Sequence, residues 1–323
     1  MGDKKMNYAK KLKQNCGNLF AKYAIYLVLV FMIVLSTILT DNFMKLSNLV
    51  NILKQMAPVM IIACGETMVI IAGMTDLSPG AVLALSGCAG IRITQQTGNA
   101  LRGALAAVVI GMIAGLINGV AVAHFRIPPF IATLAVMNIA RGAAYVYTDG
   151  KTLYDIGNFA FLGQGDILGI PAPIGFMLVI TVISYVLLKH TPFGRYLYAI
   201  GGNEYAASAS GIKTRTIKVV VYLLLGALSG FSGVVLCSRL NSGIPACGVN
   251  YEFDAIIAAI VGGTSFSGGV GSIGGTVVGC LIISLLNNMM NLMNVQSYWQ
   301  LIVKGIVIML AVGVDMSKKQ NKA

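Results

Sequence analysis

Apolar runs long enough to cross hydrocarbon alternate along the chain with short polar or glycine-rich breaks. Read in order they give ten candidate spans, at about 23–39, 57–72, 81–91, 103–123, 129–147, 173–188, 219–237, 254–261, 275–293 and 299–314. A crossing needs about 20 apolar residues, because some 30 Å of lipid is covered at 1.5 Å per residue. Two of the runs, 81–91 and 254–261, are too short on that measure. Each adjoins a break, GMTDLSPG at 73–80 and GGTSFSGGVGSIGG at 262–275. Irregular backbone at membrane depth has to be shielded by protein or line a wet cavity, and paired interrupted segments mark translocation paths. The two stretches also resemble each other, which fits an internal duplication. Residues 42–56 carry Phe43, Leu46, Val50 and Leu53 at helical spacing among polar neighbours, so an amphipathic helix in the interface is expected there.

Composition agrees. The 323 residues are 57% hydrophobic and 11% charged, with a mean hydropathy of +0.81. Soluble domains carry roughly 25% charged residues. The expected fold is an all-α polytopic transmembrane bundle with no sizeable soluble domain. The net charge of +12 does not point to nucleic acid, because the basic residues sort by side. With residue 1 inside, the N-terminal lysines, Lys189, Arg195, Lys213, Arg215, Lys218 and the C-terminal lysines face the cytoplasm. Lys45, Lys54, Arg92, Arg102, Lys151 and Arg239 face outward. That asymmetry favours ten spans over nine or eleven and places both termini in the cytoplasm. The organisation is then a basic tail at 1–22, a membrane domain at 23–314 with a cytoplasmic loop at about 189–218, and a tail at 315–323.

Candidate chemistry is sparse. The six cysteines lack metal spacing and read as core-filling residues, although Cys237 and Cys247 both approach the outer face. The glycines at 262–275 are followed by no Lys, so they are not a nucleotide-binding loop. Glycines at spacing four (Gly111, Gly115, Gly119; Gly226, Gly230; Gly271, Gly275, Gly279) announce close helix packing, within the chain or between copies. Glu66 and Arg141 lie inside spans, where a charge costs about 2.5–3.5 kcal/mol. Arg141 can reach the outer headgroups. Glu66 must be protonated, paired or facing water, with Lys304 a candidate partner. Asn118, Asn138 and Asn288 offer uncharged donors and acceptors within spans, and Asp76, Ser78 and Ser265 lie in the two breaks. With Glu66 these form the candidate translocation path.

Six segments together resemble permease subunits of bacterial ABC importers for ribose, galactose or xylose. They are NLVNILKQ at 48–55, DLSPG at 76–80, PPFIATLAVMNIARG at 128–142, GRYLYAIGGNEYAASASGI at 194–212, AIIAAIVGGTSFSGGVGSIGGTVVG at 255–279 and NVQSYWQLIVKGIVIMLAV at 294–312. The resemblance implies a pore made with a second permease copy, an ATP-binding subunit docked inside and a sugar-binding protein delivering substrate outside. The chain itself would bind no cofactor and catalyse no reaction. The loop at 194–212 would be the ATPase-coupling segment, with Gly201, Gly202, Asn203, Glu204, Ala206, Ala207, Ser210 and Gly211 at its core. Where the family has GGIDLSVG this chain has AGMTDLSPG, and Pro79 alters the local backbone. Rival readings are a permease for branched-chain amino acids or nucleosides, and an ion-coupled transporter built on Glu66.

Overall fold

A computed structural model describes residues 25–320. The expected tail at 1–22 lies outside them. The described residues are helical apart from one short hairpin, an isolated bridge between Leu153 and Gly243, and connecting turns. Its helices are α1 (Ile25–Leu39), α2 (Leu46–Ile71), α3 (Pro79–Thr97), α4 (Ala100–Ala123), α5 (Pro129–Thr148), α6 (Phe161–Gln164), α7 (Ala172–His190), α8 (Pro192–Gly202), α9 (Glu204–Ala209), α10 (Thr214–Arg239), α11 (Tyr251–Val261), α12 (Ile273–Leu292) and α13 (Ser297–Gln320). The antiparallel strands β1 (Asp166–Ile167) and β2 (Ile170–Pro171) form the hairpin before α7. Among the described residues, α2, α4, α5, α7, α10 and α12 are long and apolar enough to cross a membrane.

Two expectations change. Residues 46–56 are not a separate interfacial helix but the first turns of α2, which runs unbroken through Pro58. Proline deprives the carbonyl four residues earlier of its helical donor. Here Arg239 Nη1 supplies one, bonding Lys54 O at 3.1 Å, and Asn48 is absorbed by a reciprocal amide pair with Asn288 of α12. The run at 81–91 is not short. It is the middle of the 19-residue α3, whose polar end is taken up when Gln95 donates to Tyr154 O at 2.7 Å. At the C-terminus, α13 runs on as helix through 315–320. The other short run does stay short, as the 11-residue α11.

The centre of the bundle is α2, α3, α4 and α10. Helix α2 is buried from Met56 to Ile71, and α3 is buried over most of its length, so both read as apolar all round. The glycine ladders form a seam inside the chain: Gly111 and Gly115 of α4 meet Gly226 and Gly230 of α10, and Gly119 meets Val219. A methyl group at Gly111 or Gly226 would overlap the facing backbone. The third ladder packs α12 on α11, with Gly275 against Gly262 and Gly279 against Ala258.

The two breaks share one geometry. At the end of α2 the amides of Ala72, Gly73 and Met74 bond Met68 O, Ile70 O and Val69 O; at the end of α11 those of Gly262, Gly263 and Thr264 bond Ala258 O, Ile260 O and Ala259 O. Both helices therefore end in the same left-handed glycine cap, at Gly73 (φ +78°) and Gly263 (φ +90°). The sequence likeness of 70–74 and 260–264 is thus also a likeness of backbone.

Candidate functional site

Helices α8 and α9 stand at the end of the bundle where both breaks lie. Thr191 accepts from Gly194 N to start α8, and Asn203 Oδ1 accepts from Ala206 N at 3.0 Å to start α9. Gly211, at φ +86°, closes α9 in the left-handed conformation that residues with a Cβ avoid. Glu204 pairs with Lys218 of α10 at 2.6 Å. The segment from Gly202 to Gly211 is exposed apart from Ala207, and Tyr205 presents 91% of its surface.

The residues proposed for coupling therefore divide. Asn203, Glu204 and Gly211 build the turn; Gly202, Ala206 and Ser210 lie on its open surface; Ala207 anchors it. Gly201 faces inward, where an added Cβ would run into Ile71 O and Gly269 N. Tyr205 and Tyr198 escape a sequence reading that looks for small residues. The Tyr198 hydroxyl donates to Gly271 O at 2.7 Å, and burial pushes its phenol pKa up.

The second constellation is internal. Ser78 donates to Asp76 Oδ1 through its amide (2.7 Å) and hydroxyl (2.6 Å), and Asn118 Nδ2 donates to Asp76 Oδ2 (3.1 Å) and Ser78 Oγ (3.0 Å). Asp76 N–H donates to Glu66 Oε1 at 3.1 Å, and the Tyr222 hydroxyl donates to Thr75 O at 3.1 Å. The loop after α2 thus folds back along its own helix, since Glu66 lies more than one turn before Ile71. Four of the seven path candidates, Glu66, Asp76, Ser78 and Asn118, meet here, all buried. Glu66 Oε2 and Asn118 Oδ1 have no protein partner.

The remaining three stand apart. Asn138 is exposed on α5, Asn288 is tied to Asn48, and Ser265 is half-buried in the turn of the second break. Lys304 does not reach Glu66; it pairs with Asp254 of α11 at 2.8 Å. Arg141, half-buried on α5, bonds the loop between α10 and α11. Its Nη1 donates to Pro245 O (2.7 Å) and Cys247 O (2.9 Å). Among the described residues no group of three His, Cys, Asp or Glu is placed to hold a metal ion.

A long apolar bundle with two glycine-capped breaks and an exposed helical elbow beside them is the anatomy of a transport subunit. The model of the branched-chain amino acid transport system / permease component family matches residues 48–312. The chain belongs to this permease family. Among its curated relatives is the ribose import permease protein RbsC of Bacillus subtilis, 45% identical over 302 residues, covering 91% of this chain and 92% of the relative. RbsC of Escherichia coli K12 is 44% identical over 298 residues with the same coverage. The L-arabinose transport system permease protein AraH of E. coli K12 is 33% identical over 315 residues, 97% of this chain and 96% of AraH. No solved structure matches the permease. It is a multi-pass protein of the cytoplasmic (inner) membrane.

Proposed function

We propose that this permease is the membrane subunit of an ATP-binding cassette importer for a monosaccharide, with D-ribose the first substrate to test. The observation that carries this reading is the 44–45% identity, over nine-tenths of the chain, to two ribose import permeases. Ten crossings with both termini cytoplasmic fit the charge asymmetry: α1, α3, α11 and α13 add four shorter or more polar crossings to the six long helices. In this frame the α8–α9 elbow faces the cytoplasm and docks an ATP-binding subunit, which supplies all the ATP chemistry. An extracytoplasmic binding protein delivers the sugar at the opposite end. A second permease copy completes the pore; Asn138, exposed mid-way along α5, is an amide that lipid would leave uncovered and that a partner helix or a wet path would satisfy.

No bond of the sugar is made or broken in this scheme. ATP binding and hydrolysis in the partner move the elbow, and the breaks alternate the exposure of the path. The test is reconstitution of the permease with its ATP-binding subunit and binding protein in proteoliposomes, supplied in turn with ribose, arabinose, allose and leucine. Ribose-stimulated, ATP-dependent uptake is expected. Uptake by the permease alone, driven by an ion gradient, would replace this reading with the ion-coupled one.

A further inference from the structure

The elbow is not merely near the two breaks; it touches both, backbone to backbone. The amide of Gly269, in the second break, donates to Ile71 O, the last carbonyl of α2, at 2.8 Å. An added Cβ on Gly268 would stand 2.9 Å from Gly201 O of α8 and 2.9 Å from Gly73 Cα of the first break. One on Gly269 would stand 3.2 Å from Gly202 Cα. From the same helix Tyr198 bonds the carbonyl of Gly271, immediately before the residue that caps α12. We propose that Gly73, Gly201 and Gly268 form a three-way backbone junction by which α8 sets the position of both breaks at once, with Tyr198 as the positioning residue that ties α8 to α12.

The physical case is one of stiffness. Where side chains separate two elements, a small displacement is absorbed by rotamer changes before it moves the next backbone. Where backbones touch, nothing between them yields, and close-packed groups pass the displacement on. Glycine is required at these positions for two distinct reasons. Gly73 and Gly268 have φ of +78° and +83°, whereas Gly201 lacks room for any Cβ. Gly201 and Gly202, adjacent in sequence, thus differ in what a side chain would meet: a Cβ added at Gly202 would have nothing within 4 Å, whereas one at Gly201 would run into the junction. Downstream, the first break carries Asp76 and the second begins at the end of α11, whose first turn holds Glu252 and Asp254. One movement of α8 therefore reaches polar groups on both sides of the bundle.

This inference rests on the importer reading, so its test separates the two. In the reconstituted importer, Tyr198→Phe removes one hydroxyl. ATP hydrolysis is expected to continue while sugar moved per ATP falls about five-fold, the factor carried by one net hydrogen bond. Gly201→Ala is expected to lower the ratio further, while Gly175→Ala, open on α7, leaves it unchanged. A wild-type ratio in both Tyr198→Phe and Gly201→Ala, or a proportional loss of hydrolysis and uptake, would overturn the junction and leave α8 as a docking surface only. Should Gly201→Ala not assemble, Tyr198→Phe decides alone. A second measurement needs no transport. Amide exchange in the purified Tyr198→Phe permease is expected to rise at 268–275 and at 71–78 together; a rise confined to α8 refutes the junction whatever the protein carries.

Discussion

Asp76 accepts hydrogen bonds from three donors, and Glu66 accepts from one and leaves an oxygen without a protein partner. The two buried acids should therefore respond differently to substitution. Removing the Asp76 carboxylate strands the Ser78 and Asn118 donors, and Asp76→Ala is expected to destabilise the permease by about 3 kcal/mol. Glu66→Gln keeps the acceptor for Asp76 N–H and removes a buried acid that no basic group among the described residues pairs. Thermal unfolding in detergent is expected to show equal or higher stability for Glu66→Gln, and ATP-driven uptake should survive. Loss of uptake with intact folding would restore Glu66 as an ion-coupling group. The sequence marked Glu66 because a charge within an apolar run is costly, and Asp76 because it lies in a break beside such a run. It did not show that Asp76 returns beside Glu66, since that depends on the backward turn after Gly73. Lys304 was misplaced for the same reason: two charges in different runs carry no signal of which helices adjoin. Tyr205 was missed because an exposed aromatic in a polar loop looks like any other surface residue. As the most exposed aromatic of the elbow it is a natural anchor, and Tyr205→Ala is expected to weaken ATP-binding-subunit association about 30-fold, read by titration of the purified subunits.

Among the elements, α11 is the one least able to hold itself in place. It is 11 residues long, too short to cross lipid alone, and Asp254 near its start is clamped by Lys304 of α13. A half-helix held by a largely buried ion pair should be sensitive to loss of one partner and tolerant of losing both. Lys304→Met is expected to cost about 3 kcal/mol because it leaves a buried carboxylate uncompensated, and Asp254→Asn with Lys304→Met should recover most of that. Equal damage from single and double variants would show that the pair is not what seats α11. Its brevity was legible from the apolar run, because Gly262 and Gly263 end it locally. The length of α3 was not, since Arg92 and Gln95 look like loop residues until the 147–155 segment is seen to receive them. Residues 46–56 misled in the opposite sense. Their amphipathic pattern is real, but Asn48 of the polar side meets Asn288 of α12 within the bundle. The glycine ladders were legible as close packing, and only their partners were hidden. At the α4–α10 seam, Gly226→Val forces two backbones apart and is expected to cost about 3 kcal/mol, measured as loss of folded protein in detergent.

At the scale of the molecule, the bundle has two chemically different ends. One gathers Gly73, Gly201, Gly268 and the exposed elbow. The other gathers the α3–α4 turn at Gly98, the bridge between Leu153 and Gly243, and the hairpin whose tip, Leu168, is 98% exposed. Helices α3, α4, α7 and α10 each run between these ends, so sidedness is a single choice for the whole chain. The proposed orientation rests on the basic residues, with Arg195, Lys213, Arg215 and Lys218 clustered at the elbow end. Cysteines introduced at positions 168 and 205 therefore report opposite compartments. The background is favourable, because Cys64, Cys88, Cys237, Cys247 and Cys280 are all buried, and Cys16 can be replaced by serine. In intact cells a membrane-impermeant maleimide is expected to label Leu168→Cys at once and Tyr205→Cys only after permeabilisation. Labelling of both from outside would place the elbow where no ATP-binding subunit can reach it. The importer reading would then fail, because nothing inside the cell could power a segment that faces out.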